Sequence, residues 1–304
     1  MKHVVLDCDN TAGIPGRDID DALALIYLKL YSEVALDAVT TSYGNGSQNE
    51  VWEATRRLSD QLPMEVPIYR GCDTNDDRSS DASEYLSLVL RAGEADILVT
   101  GAASNLSGAV EAINIVGRGT PNRLQRVIMM GGTLEPLIVG GRELQELNVS
   151  CDPAGVVTVL EADFEFTFIT GNLCTALYAD GSRVEMLTSL FEGLGIGWFA
   201  SDITEWSRHH EGLYGDYGFY PWDLVAAVYL TNPEIFTTVR TKIDLDALRA
   251  NNGRLKKLEN DFVVANSRFA DVQIPSKVET GSFWEIVEST LSPGSQDEPN
   301  QRID

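Results

Sequence analysis

Residues 4–25 read VVLDCDNTAGIPGRDIDDALAL, and this stretch decides the fold prediction. It begins with an apolar run typical of a buried parallel strand, continues through a polar loop, and ends in an apolar run typical of a helix. Five carboxylates lie within it: Asp7, Asp9, Asp18, Asp20 and Asp21. Carboxylates gathered so densely repel one another unless a cation or a proton lies between them. The stretch therefore predicts a functional site directly after the first strand.

Apolar runs of the same kind recur along the chain, and helical stretches follow most of them. The predicted strands span residues 3–7, 34–42, 95–101, 126–132 and 164–172. This alternation predicts an α/β fold, a single domain over residues 1–291 with a doubly wound, mainly parallel sheet and helices on both faces. The segment 292–304 lacks apolar anchors and predicts a disordered tail. In such sheets the site lies outside the carboxyl ends of the strands.

Composition argues against several classes of partner. No run approaches the roughly 20 apolar residues that span a membrane, and Met1 leads directly into a strand-like run, so we expect neither a membrane partner nor a signal peptide. The 4 cysteines form no CxxC pair, which favours reduced thiols in a cytoplasmic protein. A net charge of −23 argues against nucleic acid as a partner, because phosphates require basic patches.

The opening carboxylates allow two interpretations. DCDNT (7–11) matches DxDxT, the signature of magnesium-dependent haloacid-dehalogenase phosphohydrolases, in which the first Asp attacks phosphate. No convincing second acidic pair follows far downstream, which weakens this interpretation. In the other, Asp9 at a strand end and Asp21 in the first turn of the next helix converge on calcium, which takes about six to eight oxygen ligands. Asp18 is interpreted as a helix cap.

Six motifs in sequence order resemble those of the nucleoside hydrolase family, the inosine/uridine-type N-ribohydrolases. They are LDCD (6–9) with PG (15–16) and IDDALAL (19–25), TTSYGN (40–45), LVTGAASNL (98–106), VIMMGG (127–132), ELNVSCDPAG (146–155) and YPWDLVAAVYL (220–230). The resemblance covers most of the chain. It implies a calcium-dependent enzyme that hydrolyses the N-glycosidic bond of ribonucleosides to ribose and free base.

The resemblance also implies roles for individual residues. The implied calcium ligands are Asp9, Asp21, the carbonyl of Thr100, and Asp223. The implied sugar-binding residues are Asp20, Asn45, Glu146 and Asn148. Asp9 also acts as the general base on a water held by the calcium ion, and Asn148 counts with it among the catalytic residues. This scheme parallels inverting glycosidases, in which a carboxylate activates the attacking water.

The end of the site that meets the base departs from the common family pattern. Members that cleave both pyrimidine and purine nucleosides carry a His before the late Asp, whereas this chain has Trp222. The segment FYPWD (219–223) resembles the YxxWD of the purine-preferring branch, in which the Trp stacks on the base, so we expect purine nucleosides to be favoured. The first lid, residues 71–85, contains no Trp to complete a sandwich. His209 and its neighbour His210 lie in a second predicted loop (209–220), and His209 is a candidate proton donor to the leaving base.

Two further expectations concern activity and assembly. The short first lid, together with Gly140 where the family has Asn, leaves open a non-catalytic protein that binds nucleosides or ribose. Family members are usually dimers or tetramers, so the resemblance implies a homodimer or homotetramer whose small-molecule partner is a nucleoside.

Overall fold

The computed structural model describes residues 1–62, 65–115, 125–162, 164–250, 253–258 and 268–292. The predicted disordered tail therefore lies outside the described residues, apart from Ser292. The strands in these ranges are β1 (Lys2–Cys8), β2 (Val34–Thr41), β3 (Ile68–Tyr69), β4 (Asp96–Val99), β5 (Arg126–Met130), β6 (Leu137–Val139), β7 (Arg142–Leu144), β8 (Glu165–Ile169), β9 (Phe236–Asp244) and β10 (Phe269–Val278).

Eight of these strands form one sheet in the order β3-β2-β1-β4-β5-β8-β10-β9. Neighbouring strands are parallel except at the edge, where β9 runs antiparallel to β10. The five predicted strands are all present and lie side by side, so the mainly parallel α/β prediction is confirmed. β9 and β10 were not predicted, because their polar and apolar residues are mixed and β10 contains Pro275 beside a register shift.

Helices cover both faces of the sheet. They are α1 (Asp20–Leu30), α2 (Gln48–Gln61), α3 (Asp81–Ala92), α4 (Ser104–Ile115), α5 (Asn148–Cys151), α6 (Pro153–Leu160), α7 (Gly171–Cys174), α8 (Gly181–Gly193), α9 (Gly197–Tyr214), α10 (Trp222–Thr231), α11 (Leu245–Ala250) and α12 (Thr280–Leu291). One core contains side chains of α1, α8, α9, α10 and α12, and a second contains side chains of α3, α4, α6 and α11. Alternate residues of β1 enter the two cores, Val4 and Leu6 the first and Val5 the second.

The carboxyl ends of the parallel strands form the edge at which the polar loops gather. The loop between β1 and α1, residues 9–19, is called the first loop below. The hairpin β6–β7 follows β5 and turns at Gly140 and Gly141, which both have positive φ (54° and 74°). A side chain on Gly140 would collide with Tyr214 at the end of α9, which explains Gly at this position.

The second predicted loop, 209–220, is partly wrong, because residues 209–214 form the last turns of α9. The helix ends where Gly215 adopts φ 95°, a left-handed conformation that glycine accepts without a Cβ penalty. None of the described helices is long and apolar enough to cross a membrane.

Candidate active site

Three of the predicted site carboxylates lie at the N-termini of two helices. Asp20 and Asp21 lie in the first turn of α1, Asp223 lies in the first turn of α10, and the two helices pack together. Each of these three buried side chains offers a carboxylate oxygen, and the oxygens lie within 4.8 Å of one another. The backbone N–H of Asp223 donates to Oδ2 of Asp20 at 3.1 Å. The positive ends of two helix dipoles therefore meet three carboxylates, which offsets part of their repulsion.

Asp9 joins these three residues from the end of β1, and we call the four together the acidic cluster. Its Oδ2 accepts a hydrogen bond from the backbone N–H of Asn45 at 2.7 Å. The loop after β2 approaches so closely that a Cβ on Gly44 would lie 1.9 Å from the same oxygen. The Asp9 carboxyl group also contacts that of Asp21. Its Oδ1 is buried and has no hydrogen-bond partner among the described residues.

Burial shifts the protonation of the whole cluster. Burial raises the pKa of Asp9 to about 7, and burial with the adjacent Asp21 raises the pKa of Asp20 to about 6. The pKa values of Asp21 and Asp223 lie well above the ordinary range, first through burial and then through neighbouring carboxylates. No ion pair found among the described residues includes a member of the cluster.

The cluster fits a hard divalent cation. Its donors are all carboxylate oxygens, the ligands that calcium and magnesium prefer, and Oδ1 of Asp9 is a buried acceptor in need of a partner. A cation would also stabilise the ionised carboxylates, whose pKa values are raised first by burial and then by their mutual repulsion. The chemistry of these carboxylates therefore supports a metal site at the acidic cluster.

Thr100 and Asn148 lie beside the cluster. The Thr100 hydroxyl donates to Oδ1 of Asp21 at 2.7 Å. The Thr100 carbonyl accepts from Nδ2 of Asn148 at 2.8 Å, and the same amide nitrogen donates to the Met130 carbonyl at 3.0 Å. Asn148 thus links the ends of β4 and β5. Its amide orients the carbonyl of Thr100, which is the predicted ligand.

Glu146 is buried at the start of the short helix α5. Its carboxylate accepts hydrogen bonds from the backbone N–H groups of Val149 and Ser150, each at 3.1 Å. Burial nevertheless raises the pKa of Glu146 to about 7. The residue is held rigidly, with its side chain in the wall of the cavity described next.

A cavity of about 330 Å³ opens beside the acidic cluster; Asp20 and Asp223 line it, and Asp9 and Asp21 do not. The predicted site residues in its lining are Asp20, Asn45, Thr100, Glu146, Asn148, Trp222 and Asp223. Its aromatic lining comes from α9, α10 and the segment before α10: Trp206, His210, Tyr214, Tyr220 and Trp222. The lining thus combines polar side chains with aromatic rings, a combination suited to a ligand with a sugar and a flat ring.

Asp18 lines the cavity as well, which the cap interpretation did not anticipate. Its Oδ1 does accept from the backbone N–H groups of Ile19 (2.6 Å) and Asp20 (3.3 Å), as a residue at a helix start does. Burial, followed by the neighbouring Asp20, raises its pKa well above the ordinary range. The signal available in the sequence was its position two residues before Asp20, within the same dense group of carboxylates.

Trp222 is half-buried in the cavity wall. Its ring stacks on that of Tyr220, with centroids 4.9 Å apart and planes at 29°. The indole packs against the core on the side of α10 and still lines the cavity. Its position agrees with the predicted contact to a base.

The two neighbouring histidines of α9 have different surroundings. His209 is exposed, stacks on Trp206 (5.5 Å, 23°) and is not among the residues that line the cavity. His210 is buried and does line it. Adjacent residues on a helix point about 100° apart, so only one of the pair can face the cavity. The structure therefore does not support His209 as the proton donor.

His210 lies among tyrosines. Its ring centroid is 4.7 Å from that of Tyr214 and 5.8 Å from those of Tyr178 and Tyr220. Its Nδ1 lies 3.4 Å from the carbonyl of Asp216, which can only accept, so Nδ1 carries the hydrogen. Burial lowers the pKa of His210.

Asp7, the nucleophile of the phosphohydrolase interpretation, has a structural role. Its Oδ1 accepts from the Thr40 hydroxyl at 2.7 Å and from Nδ2 of Asn105 at 2.8 Å. It is buried, does not line the cavity, and has its pKa raised to about 7 by burial. These contacts tie Oδ1 of Asp7 to β2 and α4 inside the fold, which supports a structural role.

Comparison with known proteins agrees with this geometry. Two curated relatives are inosine-uridine preferring nucleoside hydrolases. The one from Leishmania major is 23% identical, over 95% of this chain and 97% of the relative. The one from Crithidia fasciculata is 22% identical over the same shares.

Solved structures show the same fold. A plant nucleoside hydrolase superposes with a TM-score of 0.81 at 18% identity, over 96% of this chain and 99% of that one. A purine-preferring ribonucleoside hydrolase from Gardnerella vaginalis gives a TM-score of 0.75 at 18% identity, over 95% and 98%. The family model described as inosine-uridine preferring nucleoside hydrolase matches residues 4–285. The chain therefore belongs to this nucleoside hydrolase family and is an enzyme that hydrolyses the N-glycosidic bond of nucleosides.

Proposed function

We propose that this enzyme is a calcium-dependent ribonucleoside hydrolase that favours purine nucleosides and releases ribose and the free base. One observation carries the proposal: a single cavity is lined both by carboxylates and amides and by a stacked Trp222–Tyr220 pair. The polar groups suit a polyhydroxylated sugar, and the aromatic rings suit a flat heterocycle.

Calcium would be held by Asp9, Asp21, Asp223 and the carbonyl of Thr100. When bound there, the cation supplies positive charge that offsets the carboxylates and lowers the pKa of water. The buried, unpartnered Oδ1 of Asp9 supports its place in this set.

The residues of the chain perform the remaining steps. The sugar hydroxyls would be oriented by Asp20, Asn45, Glu146 and Asn148. Asp9 takes a proton from the attacking water, whose oxygen bonds to the anomeric carbon. The C1′–N bond breaks, and its electron pair leaves with the base. Nearby carboxylates stabilise the positive charge that develops on the sugar.

The aromatic lining supports both the proposed purine preference and a leaving-group step. The indole of Trp222 has no proton acidic enough for acid catalysis, so its proposed role is stacking, which favours the larger ring system of a purine. With Nδ1 directed at the Asp216 carbonyl, Nε2 of His210 is the nitrogen that can carry a proton to the departing base. This role passes from His209 to His210, because only His210 lines the cavity.

A hydrolysis screen tests the proposal. Purified enzyme is incubated with inosine, guanosine, adenosine, uridine and cytidine, in calcium and after chelation, and reducing sugar is measured. We expect kcat/KM to be highest for the purine nucleosides and activity to return when calcium follows the chelator. Equal activity in chelator would contradict the metal dependence. Tight nucleoside binding without release of sugar would favour the non-catalytic alternative.

The names of the similar proteins indicate different base preferences, so the base preference of this enzyme has to be measured in the screen. The curated relatives are named inosine-uridine preferring, whereas one structural neighbour is named purine-preferring. A homodimer or homotetramer and a cytoplasmic location stay predictions. Size-exclusion chromatography with light scattering would test the assembly.

A further inference from the structure

The first lid brings no aromatic side chain to the cavity, since no residue of 71–85 is in its lining. Arg78 of this lid is paired with the buried Asp152, with Nη2 at 3.0 Å from Oδ1. Tyr85, the aromatic residue of the segment, stacks on Tyr69 with centroids 4.2 Å apart. A base stacked on Trp222 therefore receives no second aromatic wall from this side.

Helix α9 brings a second indole to the same cavity. Trp206 lies in the lining with Trp222, and the two residues come from different helices. Each indole has an aromatic ring stacked against it, His209 on Trp206 (23°) and Tyr220 on Trp222 (29°). Both indoles are thus supported by a neighbouring ring while they line one space of about 330 Å³.

The support behind Trp206 extends to the first loop. Gly16 has φ 74°, and a Cβ placed on it would lie 3.3 Å from Cε1 of His209. The loop itself is anchored, because Arg57 donates to the Ala12 carbonyl at 2.7 Å and Arg17 donates to the Asn45 carbonyl. The first loop thus forms an anchored surface against which His209 packs.

We propose that Trp206 is a second aromatic wall of the base-binding site, so that Trp206 and Trp222 form a clamp on the base, and that His209 is a positioning residue held between Trp206 and the first loop. The proposal rests on the proposed function only in taking the ligand to be a nucleoside. His209 does not line the cavity and is not placed to donate a proton there, but it can hold Trp206 in position. The proposal also gives the first loop a part in supporting the base-binding site, to which the first lid brings no aromatic residue.

Binding measured without turnover tests the clamp. The probe is formycin, a purine-like C-nucleoside whose carbon–carbon link does not undergo N-glycosidic hydrolysis, titrated calorimetrically into the calcium-loaded enzyme. Base–aromatic stacking is worth enough to predict that Trp206→Leu weakens formycin binding by about 5- to 150-fold. Ribose, which has no base, should inhibit inosine cleavage with an unchanged inhibition constant. The matched control is Trp52→Leu, a half-buried indole on α2 outside the cavity.

The positioning role of His209 has its own readout. His209→Ala should weaken formycin binding, and His209→Phe should restore it, because a phenyl ring can stack on Trp206 as the imidazole does. Unchanged formycin binding by Trp206→Leu, or an equal loss of formycin and ribose binding, would overturn the clamp. Normal binding by His209→Ala would overturn the positioning role. Formycin binding that depends on Trp206 in an enzyme that cleaves no nucleoside would refute the proposed function and leave the clamp standing.

Discussion

Replacing Asp9 by Asn should separate stability from activity. The substitution keeps an oxygen that can accept from the Asn45 N–H, now held at 2.7 Å. It replaces the unpartnered Oδ1 with an amide that can donate to the adjacent Asp21 carboxylate. It also removes one buried negative charge from the acidic cluster. The variant should therefore fold well, lose the general base, and bind calcium more weakly.

The size of the effect follows from the pKa of Asp9. Burial raises this pKa from 3.8 to about 7 in the folded chain. A carboxyl group whose folded pKa is raised stabilises the protein below its unfolded pKa, and that stability is lost as the pH rises through about 7. A rise of about three units corresponds to roughly 4 kcal/mol for the ionised, metal-free state. Asp9→Asn does not pay this penalty, so without metal it should be more stable than wild type by up to that amount.

Urea unfolding with excess chelator provides the assay. The stability difference between Asp9→Asn and wild type should grow as the pH rises from about 4 to 7 and stay level above that. With calcium at about 100 times its Kd, wild type should gain about 2.7 kcal/mol, and the variant should gain less. Asp60→Asn, on the exposed side of α2, is the control for a simple change of charge. A variant no more stable than wild type at pH 8 in chelator would refute the reasoning.

Three further predictions concern ligand and leaving-group steps. Asp223→Ala should abolish calcium-induced stabilisation measured by thermal unfolding; an undiminished shift would remove Asp223 from the metal site. Trp222→Ala should reduce kcat/KM for inosine about tenfold more than for a nitrophenyl riboside, whose leaving group needs no activation, since stacking contributes about 1–3 kcal/mol; equal losses would contradict stacking. Because burial lowers the pKa of His210, inosine turnover should fall as the pH rises through that lowered value, and His210→Gln should lack this limb; an unchanged pH profile would exclude His210 as the donor.

The sequence could predict the acidic end of the site because strand ends are easy to locate. Buried parallel strands are continuous apolar runs, and the residue that follows each run must lie at one edge of the sheet. Asp9 and Thr100 were placed in this way, and Asp20 and Asp21 followed from the start of the next helix. Local signals thus predict that these residues lie at one edge of the sheet, whereas their roles as ligands were implied by the resemblance to the family.

The aromatic end could not be predicted in the same way. Which histidine of α9 faces the cavity depends on the rotation of the helix about its axis, and a shift of one residue turns the side chain by about 100°. In a predicted loop at 209–220 this periodicity is absent, and His209 and His210 are equivalent. Trp206 lies four residues before His210, a spacing that places two side chains on the same face only within a helix such as α9.

The acidic cluster is also a consequence of how the two ends of the fold meet. Asp20 and Asp21 are separated from Asp223 by some 200 residues, and they approach only because α1 and α10 pack together with their N-termini at the same place. Both helices are buried along most of their length, so their apolar packing can hold carboxylates together against their repulsion. A cation bound there would stabilise the contact between α1 and α10 as well as the site. Metal binding and the packing of these two helices should therefore strengthen each other, because whatever binds only the folded arrangement stabilises it.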